Sequence, residues 1–416
     1  GVLAAPLLVW ALASGLQADG NHAAVVMTRW MMPYIGLISM VSLAAGVLNT
    51  WDKFAVSAFT PVLLNLCMIF AMWLGVPHMQ ALGYPPIYTL ALGVMAGGIT
   101  QWAVQWYALK RIGMLPRIGL TWRALKTSWQ HEDTQKILRL MLPAVLGVGV
   151  AQISLLINTQ IASYLPAGSV SWLSYSDRLM EFPTALLGVA LGVVLMPQLA
   201  AAQGAGDAQR YSSMIDWGLR LVLLFALPCA VALAVFSAPL VETLFHYGKF
   251  TEHDVQQVTH SLMGYGIGLL GLVGIKVLAP AYFAKGDMKT PVKIAIVVLI
   301  FTQVLNFFLV PYLRHAALTV SISMGALLNA SWLLRGLVRK GGYHPEAGWG
   351  RTIAQIALAT VVLAAFLWWV QQWLHWGQLH AAMRVLYLLG TIGAAGLLYF
   401  VVLALLGFPI RQLVKH

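Results

Sequence analysis

The sequence predicts an all-α, polytopic transmembrane helical bundle, and three observations carry that reading. Charged residues make up 9% of the 416 positions, against roughly a quarter in soluble domains, while 60% are hydrophobic. Mean hydropathy is +0.79. The apolar residues fall in blocks of about 20, the length that crosses a ~30 Å hydrocarbon layer as helix. So few charges could not cover a soluble protein of this size. The blocks are continuously apolar rather than alternating, which argues against a membrane β-barrel.

The first block, Gly1 to about Ala13, is half a span. It has no Met start, no basic leader and no A-x-A cleavage pattern, so it does not read as a signal peptide. The chain is expected to begin part-way through a longer protein. Spans follow at 28–49, 58–76, 86–109, 137–164, 169–200, 214–236, 257–283, 292–311, 316–338, 349–373 and 382–406, about twelve with the partial one. The one long break is 110–136. There Leu120, Leu125 and Trp129 alternate with Arg123 and Lys126, a pattern that suits a short amphipathic helix on the membrane surface. Trp368, Trp369, Trp373 and Trp376 fall at a span edge, where an aromatic belt is expected.

Orientation follows from Lys and Arg. One set of alternate loops holds Lys53, the cluster from Lys110 to Arg139, Arg210, Arg220, Lys285, Lys289, Lys293, Arg335, Arg339, Lys340, Arg351, Arg411 and Lys415. That set contains 19 of the 25 basic residues, whereas the opposite side has Arg29, Lys249, Arg314 and Arg384. The basic side, C-terminus included, is predicted to be cytoplasmic. The net charge of +12 then reflects topology and attraction to anionic headgroups. Its dispersion gives no nucleic-acid footprint. Cys67 and Cys229 lie inside apolar spans and imply neither disulfide nor metal. His246, His253 and His260 recur every seven residues, but no carboxylate–histidine set forms, so no metal or other cofactor is expected.

Charge inside a span is costly and marks function. The stretch Ser174-Tyr-Ser-Asp-Arg-Leu-Met-Glu-Phe-Pro183 places Asp177, Arg178 and Glu181 together. At i,i+3 and i,i+4 spacing they share one side of the helix, with Arg178 about 13 Å deep at 1.5 Å per residue. Pro183 would bend the helix just beyond them. Two readings fit: a buried ion pair holding helices together, or an anion-binding arginine oriented by its acids. The second suits a diphosphate, because the guanidinium fork donates to two oxygens at once. Lys276, near the end of its span, is a second candidate contact, with snorkelling as its alternative. Gly264, Gly266, Gly268, Gly271 and Gly274 load one helix, and Gly188 and Gly192 form a G-x-x-x-G. Close helix packing explains them, and bending during transport is the alternative.

Absences narrow the class. There is no Asp-rich motif for metal–diphosphate chemistry, no P-loop, and no Ser/His/Asp set in one span. Asp216 and Glu242 stand at span edges. A secondary transporter needs none of those motifs, so a transporter rather than an enzyme is expected.

Four blocks in order then resemble the MurJ (MviN) family. They are Gln152-Ile-Ser-Leu-Leu-Ile-Asn-Thr with Ala162-Ser, Gly168-Ser-Val-Ser-Trp with Tyr175-Ser-Asp-Arg-Leu-Met-Glu-Phe-Pro183, Leu244-Phe-His-Tyr-Gly-Lys-Phe-Thr251, and Lys276-Val-Leu-Ala-Pro-Ala-Tyr with Asp287-Met-Lys-Thr-Pro291. The resemblance runs over essentially the whole chain. It implies a flippase for lipid II, the undecaprenyl-diphosphate-linked peptidoglycan precursor, in the bacterial inner membrane. It also implies a fold of two pseudo-symmetric six-helix lobes plus two extra helices. On that mapping 1–109 is the rest of the N-terminal lobe, 110–136 the linker, 137–340 the C-terminal lobe and 349–406 the additional pair. The implied partners are lipid II and membrane lipids, with the protein a monomer. Arg178 would contact the diphosphate beside Asp177 and Glu181, with Lys276 as a further contact. Some relatives have an acid near Asn158 linked to sodium. Here Asn158 is neutral, and Asn158 and Asn306 stand as candidate ion-coupling positions, the drive being a coupling ion or the membrane potential. The competing readings are a polysaccharide-precursor flippase or ion-coupled drug exporter of the same superfamily, and a membrane-embedded transferase.

Overall fold

The computed structural model describes residues 2–115, 121, 126–127 and 129–409. Helices account for the fold, and no strand occurs among the described residues. The expected surface helix at Leu120, Arg123 and Leu125, and the terminal Arg411 and Lys415, lie outside that range. The chain forms two compact units, one of Gly1–Leu146 with Thr159–Tyr164, the other of Gly147–Asn158 with Leu165–His416.

The first unit contains α1 (Ala5–Ala13), α2 (Ala18–Met31), α3 (Tyr34–Thr50), α4 (Phe54–Ala81), α5 (Tyr88–Arg111) and the two outer parts of α6 (Glu132–Ser163). The span expected at 28–49 is broken: α2 and α3 meet at an angle of 41°. Pro33, the N-cap of α3, lacks the N–H that would carry the ladder through. Helices α4 and α5 pack closely because Gly93 and Gly97 of α5 leave room for Met68 and Leu64. Two buried amides finish the pair, Gln101 donating to the Thr60 carbonyl and Gln105 to the Thr60 hydroxyl, both at 3.0 Å. In hydrocarbon such amides need partners from the protein itself.

The second unit is built on α11 (Glu252–Ala284). Around it stand α7 (Ser169–Pro183), a π-helical turn (Thr184–Val189), α8 (Ala190–Gly204), α9 (Ala208–Val235), α10 (Ser237–Phe245), α12 (Lys289–Leu313) and α13 (Ala316–Arg339). Four glycines of α11, Gly264, Gly268, Gly271 and Gly274, are where α13 arrives, while Gly266 faces Ala230 and Ala234 of α9. A Cβ on Gly271 would come within 2.6 Å of the Ala326 carbonyl carbon, so no larger residue fits without moving that backbone. These glycines permit the close packing that the sequence led one to expect. The two last helices, α14 (Trp349–Trp373) and α15 (Ala381–Leu405), pack on each other and on α9, burying Ile356, Leu363, Leu388 and Tyr399 with Leu224. Trp368, Trp369 and Trp373 are exposed, as a belt requires. Trp376 is not: it is buried edge-on against Phe236, with ring centroids 5.5 Å apart.

Among the described residues seven single helices are long and apolar enough to cross a membrane, or eight if the bent α2–α3 pair is one span. The other predicted spans coincide with α5, with α6, and with the α7–π–α8 run, in which a span's length is divided into segments of 15, 6 and 15 residues. Only 6% of the apolar window of α4 is buried by protein. An apolar helix this bare of protein contacts suits a hydrocarbon surrounding.

Candidate functional site

The second unit displays the charged stretch on α7. Gly168 starts the helix at φ 102°, a left-handed conformation that glycine alone adopts freely. Trp172, one turn in, donates from Nε1 to Asp254 Oδ1 at 2.8 Å and packs on the His315 ring at 5.0 Å. Tyr175 sits between Phe245 and Phe250. These contacts fix the rotation of α7 against α10 and α11.

That rotation sorts the three charges. Asp177 turns inward and accepts a hydrogen bond from the hydroxyl of Tyr265, a buried residue on α11. Arg178 and Glu181 are exposed. Neither makes a hydrogen bond or ion pair with any described residue. The expectation that the acids hold the arginine is therefore not what the structure displays. Asp177 has a different partner, and Glu181 does not close on Arg178. Successive helix positions differ by about 100°, so pinning Asp177 toward α11 aims Arg178 away from it.

Beyond the charges the α-helix gives way at Pro183 to the π-helical turn. Proline removes an N–H donor and crowds the preceding turn, and a wider turn relieves that crowding. Thr184 Oγ1 donates to the Met180 carbonyl at 2.9 Å, satisfying one acceptor at the irregularity. At the place where a bend was predicted, the helix changes type.

Lys276 lies elsewhere on the same helix pair. Its aliphatic stem crosses Gly188, where a Cβ would come within 2.9 Å of Lys276 Cγ, and its head is exposed. Because Asp177 meets Tyr265 and Gly188 meets Lys276, the two helices run parallel with equal spacing. Lys276 is thus about 15 Å along from Arg178 at 1.5 Å per residue. The structure does not bring the two cations together.

Asn158 and Asn306, 148 positions apart, do meet: Asn306 Nδ2 donates to Asn158 Oδ1 at 3.0 Å and to Gln303 Oε1 at 3.1 Å. Both asparagines are buried, and among the described residues no acid hydrogen-bonds to them. As observed, this is an amide bridge between α6 and α12.

Two residues have roles that their sequence positions do not reveal. Tyr265 carried no signal, being one aromatic in a glycine-rich helix. Asp216 carried a weak one, its i,i+4 spacing to Arg220. It is 1% exposed and anchors the connection between α13 and α14. Tyr343 and Trp349 donate to it at 2.7 Å, and Arg220 Nε at 2.6 Å.

The family model described as "Lipid II flippase MurJ" matches residues 1–387. A Burkholderia cenocepacia protein named lipid II flippase MurJ is 47% identical over 98% of this chain and 78% of its own length. A Vibrio cholerae protein named probable lipid II flippase MurJ is 37% identical over 97% of this chain and 75% of its own. A solved structure described as lipid II flippase MurJ in an inward closed conformation superposes with a TM-score of 0.75 at 18% identity, covering 100% of this chain and 82% of that one. That last likeness is one of fold.

Proposed function

This chain belongs to the lipid II flippase MurJ family, and on that premise we propose that it flips lipid II from the inner to the outer leaflet of the bacterial inner membrane by alternating access. The observation that carries the reading is the 47% identity to a curated lipid II flippase across nearly the whole chain. Transport rather than catalysis fits a helical bundle whose in-span charges are few and specific.

Arg178 is the residue we assign to the diphosphate. It is a permanent cation on a membrane helix, exposed and without a partner among the described residues. An unpaired guanidinium at that depth is costly unless water or an anion meets it. The substrate's diphosphate offers paired oxygens that match the fork. Asp177, held by Tyr265, acts as the positioning residue. Glu181, one turn on from Arg178, moderates the local positive charge so that the anion can leave. Lys276 supplies a second contact about 15 Å farther along the helix pair, at another depth.

In this reading the basic loops and the C-terminus face the cytoplasm, and the protein works as a monomer. The two lobes and the additional helix pair follow the 1–109, 137–340 and 349–406 division. A coupling ion or the membrane potential supplies the drive. Asn158 and Asn306 offer a cation only neutral oxygens, which favours the potential over tight ion binding there.

Complementation of a bacterium depleted of its own lipid II flippase tests the reading. The gene should restore growth. Arg178→Ala should abolish rescue and Arg178→Lys should recover little, both with membrane abundance near the parent's. The double variant Arg178→Ala with Glu181→Ala should also insert normally and stay inactive. A fully active double variant would end the diphosphate assignment. Binding of a cationic drug in preference to lipid II would favour the exporter reading.

A further inference from the structure

At one end of the second unit α9, α11, α12 and α13, each long and apolar enough to span, line a cavity of about 550 Å³. Its wall on α11 is a single helical stripe: Gln257, His260, Met263 and Ile267, spaced three or four residues apart. The stripe changes character over its ~15 Å. An amide and an imidazole stand at one end, a thioether and a branched alkyl group at the other. His315 Nε2–H donates to the Gln257 carbonyl at 3.0 Å, which ties the Arg314–His315 turn to the polar end. Val320 continues the apolar end.

Three further features mark the polar end as a binding place. Among the described residues no Asp or Glu lines the cavity. The Arg314 and His260 side chains are exposed and have no hydrogen-bond or ion-pair partner among the described residues. Arg314 also holds φ 51° with ψ −130°, a backbone conformation natural to glycine and strained for a residue with a Cβ. A side chain kept where the backbone favours none points to work done by that side chain.

We propose that this cavity binds an anionic glycerophospholipid, its phosphate on Arg314 and His260 and one acyl chain along Met263, Ile267 and Val320. The polarity of the stripe matches a lipid read from head to tail. Its polar end sits where four spans end, at headgroup level. Met263, Ile267 and Tyr312 beside it are exposed, so the cavity opens toward the bilayer that holds such lipids. A guanidinium donates two parallel hydrogen bonds to a phosphate. The lack of an acid favours a headgroup with net negative charge over a zwitterionic one. The site is on a different helix set from Arg178 and does not depend on the flippase reading.

The test uses the full chain in detergent, titrated with phosphatidylglycerol or phosphatidylcholine, with thermal melting and native mass spectrometry as readouts. Phosphatidylglycerol should raise the melting temperature saturably and remain bound, and phosphatidylcholine should do neither. Arg314→Gly should melt no lower than the parent without lipid, because glycine accepts the backbone angle. Its affinity for phosphatidylglycerol should fall about tenfold or more. Ile267→Trp, which fills the tail end and leaves the charges alone, should weaken binding as well. Unchanged affinity in both variants, or equal binding of the two phospholipids, would overturn the proposal. So would displacement of phosphatidylglycerol by an equimolar polyprenyl diphosphate, which would make the substrate the occupant.

Discussion

Replacing Asp216 by Asn should loosen the connection between α13 and α14 more than any surface substitution nearby. In the parent, Oδ1 accepts from Tyr343 at 2.7 Å, Trp349 Nε1 at 2.7 Å and the Glu346 N–H at 3.2 Å, while Oδ2 accepts from Arg220 Nε at 2.6 Å. Asparagine has one oxygen. Keeping it at Oδ1 preserves three donors but turns the amide N–H₂ toward the guanidinium, donor against donor. The loss is then one charge-assisted hydrogen bond, about 1.5–3 kcal/mol, with the other three weakened because their acceptor is no longer charged. Breaking a fully buried pair costs about 3–5 kcal/mol. Arg220 escapes that upper range because it is 18% exposed and keeps Thr352 Oγ1, the Ala347 carbonyl and the Trp349 ring. The expected destabilisation is about 2–3 kcal/mol. Tryptophan-fluorescence melting in detergent measures it. Trypsin reports the local effect, since Arg339 and Lys340 begin the anchored connection and should be cut sooner. An Asp216→Asn variant with the parent's melting temperature and cleavage rate would refute the reasoning.

Tyr265→Phe removes the hydroxyl that Asp177 accepts from and should cost about 1–3 kcal/mol. It should also cut flipping with abundance maintained, since Arg178 loses its positioning; unchanged flipping in the folded variant would reject Asp177 as a positioning residue. His315 gives a pH signature. Burial, the first cause, holds its imidazole below the ordinary value, helped by the positive neighbours His260, Arg314 and His253 and opposed by its bond to the Gln257 carbonyl. The unfolded chain therefore binds this proton first, near pH 6.5. The stability contribution is full above that pH and lost as pH falls from 6.5 through the folded value, at up to about 1.4 kcal/mol per pH unit. His315→Gln should flatten the melting profile between pH 7 and 5, and an unaltered slope would exclude this group as its source.

Hydropathy is local, and what is local could be read directly. Blocks of apolar residues placed the spans whatever their neighbours, because the bilayer acts on each segment as solvent. The same logic singled out Arg178: one permanent charge in a span is anomalous before any partner is known. The Gly264-to-Gly274 run announced close packing, since few other needs put so many glycines on one helix. Proline likewise marked the irregularity after Pro183, though not that it would become a π turn. At Pro33 the same residue broke a stretch that hydropathy alone joined into one span.

Tertiary structure decided the pairings. Tyr265 with Asp177, Asn306 with Asn158 and Tyr343 with Asp216 join positions 88, 148 and 127 residues apart. Nothing in either residue's own neighbourhood names the other. The Asp177–Arg178–Glu181 stretch shows the difference in one turn of helix. Sequence spacing put the three charges on one side and offered them to each other. Packing of Trp172 and Tyr175 then set the helix rotation, which gave Asp177 to Tyr265 and left Arg178 and Glu181 exposed. Trp376 followed the same rule in reverse, taken from the membrane edge into a contact with Phe236. Composition determines which solvent a segment prefers, while the rotation of each helix about its axis determines which side chains meet, and only packing among helices fixes that rotation.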